Sequence, residues 1–85
     1  MHVLITGAAG MLGRKLTARL VADGGLGDEA LDRLTLTDVV VPPVPDGDSG
    51  VTEVVAADLT GPGAAEGLLA GRPEVVFHLA AVVSG

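Results

Sequence analysis

The stretch Ile5-Thr6-Gly7-Ala8-Ala9-Gly10-Met11-Leu12-Gly13 sets three glycines at three-residue spacing between an apolar strand-like run and a helix-like one. A chain that stops a strand at Thr6 needs a residue free of Cβ at Gly7 to turn back, and the next helix can approach the strand closely only if Gly13 is equally small. Gly10 leaves space between the two for a bulky anion to reach the main chain. The first N–H groups of the helix have no acceptor in the helix itself, and its dipole favours negative charge at that end. The segment therefore reads as a phosphate cradle, with Gly7, Ala9, Gly10, Met11, Leu12 and Gly13 as its candidate lining.

Spacing alone does not carry this reading. With 13 glycines in 85 residues, random placement produces roughly 0.3 such patterns per chain. Context decides. The pattern follows His2-Val3-Leu4-Ile5 directly, and Leu12, Leu16 and Leu20 then recur at the spacing of one helix face, with Arg14, Lys15 and Arg19 beside them.

Outward from this turn, the apolar runs predict strands at 2–6, 33–38, 51–57 and 74–80, and helices at 11–23 and 63–70. Residues 24–32 are glycine-rich and acidic and read as a surface insertion, with one turn of helix expected around Glu29 to Leu31. Pro42, Pro43, Pro45, Gly47 and Gly50 make the next connection a loop, because closely spaced prolines cannot sustain a helix. Buried-looking strands joined by crossovers imply a parallel sheet in the order 3-2-1-4, numbering the four strands along the chain. This is the first part of a Rossmann-type α/β sheet with flanking helices, whose ligands lie at the carboxyl ends of the strands near the switch between the first and fourth.

Three more candidate positions follow from that geometry. Asp38 ends the second strand, where a carboxylate accepts hydrogen bonds from the ribose hydroxyls of an adenine dinucleotide. It would repel a 2′-phosphate, and Val39 and Val40 supply no guanidinium beside it, so NAD is expected over NADP. Leu79-Ala80-Ala81 leaves the fourth strand at the switch point, where small residues let a cofactor pass near the backbone. Asp58-Leu59 follows the third strand and would face the adenine, although an Asp before Thr60-Gly61 is equally what a turn requires. His78 and His2, within apolar runs, read as satisfied core histidines, and Arg72 as a charge at the end of the last helix.

Composition narrows the function classes. One small domain is all that 85 residues allow, and with Phe77 as the sole aromatic its core must be Val, Leu and Ala. A net charge of -6 with five basic residues excludes a basic face for nucleic acid or an anionic membrane. No cysteine is present, so disulfides and thiolate metal sites are excluded, and two separated histidines make no metal set. The start Met1-His2-Val3 lacks a basic region followed by a long apolar segment, which points to the cytoplasm.

Taken together, Thr6 to Gly13, Asp38, Asp58-Leu59 and His78-Leu79-Ala80-Ala81 resemble the N-terminal half of the extended short-chain dehydrogenases/reductases, the NAD-dependent epimerase/dehydratase group. Arg33-Leu34-Thr35-Leu36 before Asp38, the proline-rich loop and the run from His78 to Gly85 are similar to the D-erythronate dehydrogenase subgroup. The resemblance implies NAD as cofactor and hydride transfer to or from a hydroxyl-bearing carbon of a sugar or sugar acid. Members use a Tyr as acid/base, a Lys four residues later and a Ser or Thr. This chain has no Tyr, Lys15 is its sole Lys, and Ser84 falls too early to match. The 85 residues are thus expected to be a partial chain, the cofactor-binding part without substrate domain or catalytic residues. The alternatives are a non-catalytic NAD(P)-sensing module, or an α/β piece that binds nothing and self-associates through an exposed strand edge.

Overall fold

A computed structural model describes residues 1–45, 47, 50–58 and 60–79. Its centre is β1 (His2–Thr6), buried along its whole length because His-Val-Leu-Ile-Thr offers side chains to both faces of a covered sheet. β1 pairs in parallel with β4 (Arg33–Asp38) on one side and β6 (Val75–His78) on the other, and β4 pairs in parallel with β5 (Thr52–Ala56). The resulting order, β5-β4-β1-β6, is the expected 3-2-1-4 arrangement.

Strand alternation sorts side chains onto two unlike faces. Val3 and Ile5 of β1 and Leu34 and Leu36 of β4 pack with Ala8 and Leu20 in the core, and Leu16, Val54, Val75 and Phe77 close around them. Fully burying Val3, Ile5, Leu20, Leu34 and Leu36 contributes about 1.5–3 kcal/mol each. The helix α1 (Met11–Asp23) covers this face through Gly13, Thr17 and Leu20. The Thr17 hydroxyl is satisfied within the helix by donating to the Gly13 carbonyl at 2.7 Å. Leu12 departs from the expected apolar stripe: it is 64% exposed. The inward stripe runs through Gly13 and Thr17, because only small residues fit where the helix first meets the strand. Gly24 then ends α1 in the left-handed conformation, φ 73°, donating its N–H to the Leu20 carbonyl.

The opposite face carries His2, Leu4, Thr6, Thr35 and Thr37 beneath α2 (Ala64–Leu69). No residue of α2 is buried. Clefts of about 320 Å³ open between this short helix and the sheet, one bordered by His2, Arg33 and Gly71, the other by Leu4, Leu68 and Val76. His2 is nevertheless fixed in the core. Its Nδ1–H donates to the Gly71 carbonyl at 3.2 Å, which leaves Nε2 to accept from the Thr35 hydroxyl at 2.8 Å.

The insertion after α1 differs from expectation. It is a β-hairpin, β2 (Gly25–Leu26) against β3 (Glu29–Ala30), and has no helical turn. Gly27, at φ 57°, supplies the left-handed residue a two-residue hairpin turn needs, and a Cβ on Gly25 would strike the Glu29 carbonyl. Three residues with helix propensity cannot nucleate a helix against those constraints. The hairpin is anchored by Leu31 N–H on the Gly24 carbonyl and by the Met1 amino group, which pairs with Asp32 and donates to the Ala30 carbonyl.

Candidate functional site

The glycine turn lies at the carboxyl end of β1, between β1 and α1. Gly7 has φ 73°, a left-handed angle that lets Gly10 N–H reach the Gly7 carbonyl at 3.2 Å. Gly13 is demanded by packing, since a Cβ there would lie 2.5 Å from the Gly7 carbonyl oxygen and 2.7 Å from the Ala8 Cα. Gly10 is different. A Cβ on it would meet one atom, the Gly7 oxygen, at 3.4 Å, so the protein's own packing barely requires a glycine there. Gly10 caps α1 without any side-chain hydrogen bond. The N–H groups of Met11, Leu12 and Gly13 have no helical acceptor, and Met11 and Leu12 are exposed beside them. The turn thus combines open space, free donors and the positive end of a helix dipole.

Asp38 sits on the neighbouring strand and reaches this turn. Its Oδ2 accepts the Ala9 N–H at 3.0 Å and its Oδ1 accepts the Val39 N–H at 2.7 Å. Backbone bonds reinforce the junction: Ala8 N–H donates to the Thr37 carbonyl at 3.1 Å, and Ala57 N–H to the Asp38 carbonyl at 2.8 Å. Each carboxylate oxygen has used one lone pair and retains another. Around it, Val39, Val40, Val41 and Val44 are all more than half exposed while Pro42 is buried, so the loop turns an apolar rim outward beside the carboxylate. A cleft of about 370 Å³ runs between α1 and Pro43–Pro45, bordered by Arg14, whose Nε donates to the Ala9 carbonyl at 3.0 Å.

Asp58 stands exposed after β5, and its side chain folds back into a turn: Oδ1 accepts from both the hydroxyl and the N–H of Thr60, at 2.6 and 2.9 Å. These two bonds hold its carboxyl below the usual carboxylate range. Their contribution to the turn is present above the ordinary carboxylate pKa and is lost as pH falls through the lowered one, while the Gly61 N–H still donates to the Asp58 carbonyl at 2.9 Å. At the switch point Leu79 N–H donates to the Thr6 carbonyl at 3.0 Å and joins the core, whereas the proposed neighbours Ala80 and Ala81, like Leu59, lie outside the described residues. His78 corrects the expectation of a core histidine: it is exposed, sharing a 2.7 Å hydrogen bond between its Nδ1 and the buried Thr6 hydroxyl across the register pair Thr6–His78. Arg72 follows the C-terminal end of α2, where its backbone N–H donates to the Leu69 carbonyl at 2.9 Å.

The structure therefore gathers Gly7, Ala9, Gly10, Met11, Leu12, Gly13 and Asp38 at one edge of the sheet, with Asp58 and Leu79 at the ends of the flanking strands. The Ala9–Asp38 link and the valine rim were not legible in the sequence. Nothing local shows which way Val39, Val40 and Val41 face after the strand ends at Asp38, and a hydrogen bond over 29 residues leaves no local signal.

Strand order and turn define the chain as a Rossmann-type α/β domain. It belongs to the NAD dependent epimerase/dehydratase family, whose model matches residues 3–85. It is 46% identical to the D-erythronate dehydrogenase of Cupriavidus necator over 89 aligned residues, covering 100% of this chain and 27% of that protein. Among solved structures, a nucleoside-diphosphate-sugar epimerase from Agrobacterium tumefaciens superposes with a TM-score of 0.95 at 58% identity, over 100% of this chain and 25% of that one. A uronate dehydrogenase from the same organism, also solved as a variant complexed with NAD, gives 0.72 at 30% identity, over 96% of this chain and 27% of its own. The chain spans about a quarter of the length of the curated relatives it matches. Among the described residues no helix is long and apolar enough to cross a membrane, and no group of carboxylates and histidines could hold a metal ion.

Proposed function

We propose that the chain is the NAD-binding part of a cytoplasmic dehydrogenase or epimerase acting on sugars or sugar acids, with D-erythronate oxidation as the specific reaction. The observation that carries the binding claim is the pairing of an unfilled Gly10 position with free first-turn N–H groups and the Asp38 carboxylate on the adjoining strand end. In this reading the Met11, Leu12 and Gly13 N–H groups hold the pyrophosphate, backbone dipoles serving where an acidic chain offers little positive field. The unused lone pairs of Asp38 accept the 2′- and 3′-hydroxyls of the adenosine ribose, and the valine rim shields the base from water. Asp58 borders the adenine and Leu79 the path toward the reacting end, the roles the family resemblance also implies for Leu59, Ala80 and Ala81 outside the described residues. NAD, when bound, takes or gives a hydride. With no tyrosine among the 85 residues, this stretch holds the cofactor and does not itself move the substrate's proton.

The D-erythronate assignment rests on the identity to the Cupriavidus necator enzyme together with the family match. Calorimetric titration of the folded chain tests the cofactor. NAD is expected to bind at least about tenfold more tightly than NADP, because a 2′-phosphate would sit against Asp38. A folded sample silent to both nucleotides, or one that prefers NADP, contradicts the reading.

A further inference from the structure

We infer that Asp38 is also the positioning residue of the phosphate turn: its carboxylate braces the Ala9 peptide, so the ribose and pyrophosphate halves of the site are one coupled unit. This deepens the dinucleotide reading and rests on it. Ala9 lies between Gly7 and Gly10 in a turn that side chains of its own segment do little to fix. Gly7 and Gly10 have no side chains, and the cap of α1 has no side-chain hydrogen bond. The Ala9 N–H is instead held by Asp38 Oδ2 from the adjacent strand, while the other oxygen is pinned by Val39 N–H. The carboxylate therefore cannot swing away from the turn without leaving two backbone donors unpaired. Arg14 fastens the same residue from the other side, its Nε on the Ala9 carbonyl.

This has a consequence that ribose recognition alone does not. If the acid served only the ribose, removing its charge would leave a phosphate ligand lacking ribose hydroxyls unaffected, or would strengthen its binding by relieving repulsion. If it braces the turn, the same ligand binds less well, because an asparagine has one acceptor for two N–H groups and its amide faces the other as donor against donor.

The test compares ADP with its 2′,3′-dideoxy analogue on the unmodified chain and on Asp38→Asn, by amide-resolved NMR titration. The dideoxy analogue is expected to lose about tenfold in affinity on the variant, the scale of one charge-assisted hydrogen bond. Hydrogen exchange of the Ala9 amide should quicken by about the same factor, while amides of Leu34 and Leu36 inside β4 keep their protection, which a general loss of stability would not allow. Unchanged or tighter dideoxy-ADP binding by the variant, with ADP weakened, overturns the brace and leaves the ribose role standing. If the unmodified chain binds neither ADP nor NAD, the dinucleotide reading itself falls and the inference with it. Should Asp38→Asn fail to fold, the unmodified chain still decides. Its Ala9 amide, held by the Asp38 carboxylate, must be protected from hydrogen exchange, and an Ala9 amide that exchanges as fast as one in an open turn overturns the brace.

Discussion

Three glycines in one turn have three different physical reasons to be glycine. Gly7 needs its positive φ, Gly13 needs to be small because two backbone segments touch there, and Gly10 is unfilled for no reason internal to the chain. That asymmetry separates fold from function by mutation. Gly13→Ala forces α1 away from β1 against rigid backbone atoms and should cost about 1–3 kcal/mol in chemical denaturation. Gly10→Ala should stay within about 1 kcal/mol of the parent, a capping effect only, yet reduce NAD affinity by more than about tenfold. Equal stability losses, or a Gly10→Ala chain that keeps its NAD affinity, would contradict the assignment. The glycine spacing was visible in the sequence, but the distinction between the three required knowing what each missing Cβ would strike.

The strands and α1 were legible because their signals are local and strong: short apolar runs bounded by Gly, Pro and Asp, and a helix that starts on a glycine turn. Strands β1 and β4 and helix α1 have the bounds the sequence implies, and β5, β6 and α2 fall within one or two residues of theirs. The β2–β3 hairpin was not legible, since Gly-Leu and Glu-Ala are not strand-forming pairs and depend on Gly25 and Gly27 for their approach. Helix α2 is the weakest element. It has six residues, none buried, and leads into Arg72 at φ 53°, a left-handed angle costly for a side chain with a Cβ. Arg72→Gly should therefore raise stability by about 0.5–1 kcal/mol, its relief of strain exceeding the entropy glycine adds to the unfolded chain. A fall in the denaturation midpoint would show instead that the arginine side chain anchors the segment.

At the scale of the whole molecule, the two faces and two edges of the sheet do different work. The α1 face holds the aliphatic core, the α2 face is a layer of threonines, histidines and open clefts, and the carboxyl edge brings the turn, Asp38 and the valine rim together. Histidines illustrate the division. His2 at the amino end is buried and bonded at both ring nitrogens, whereas His78 at the carboxyl end is exposed beside the switch point, a difference that two similar apolar contexts in the sequence could not reveal. In a chain covering a quarter of its relatives' length, the residues proposed to meet the phosphates and the ribose thus lie together along one edge of the sheet. Adding NAD to the isotopically labelled chain and following every amide by NMR tests this claim most directly. The largest shifts are expected on Ala9 to Gly13 and on Asp38 and Val39, with His2 and Gly71 at the opposite edge unmoved. Shifts concentrated around His2 and Gly71, or none anywhere in a folded chain, would contradict it.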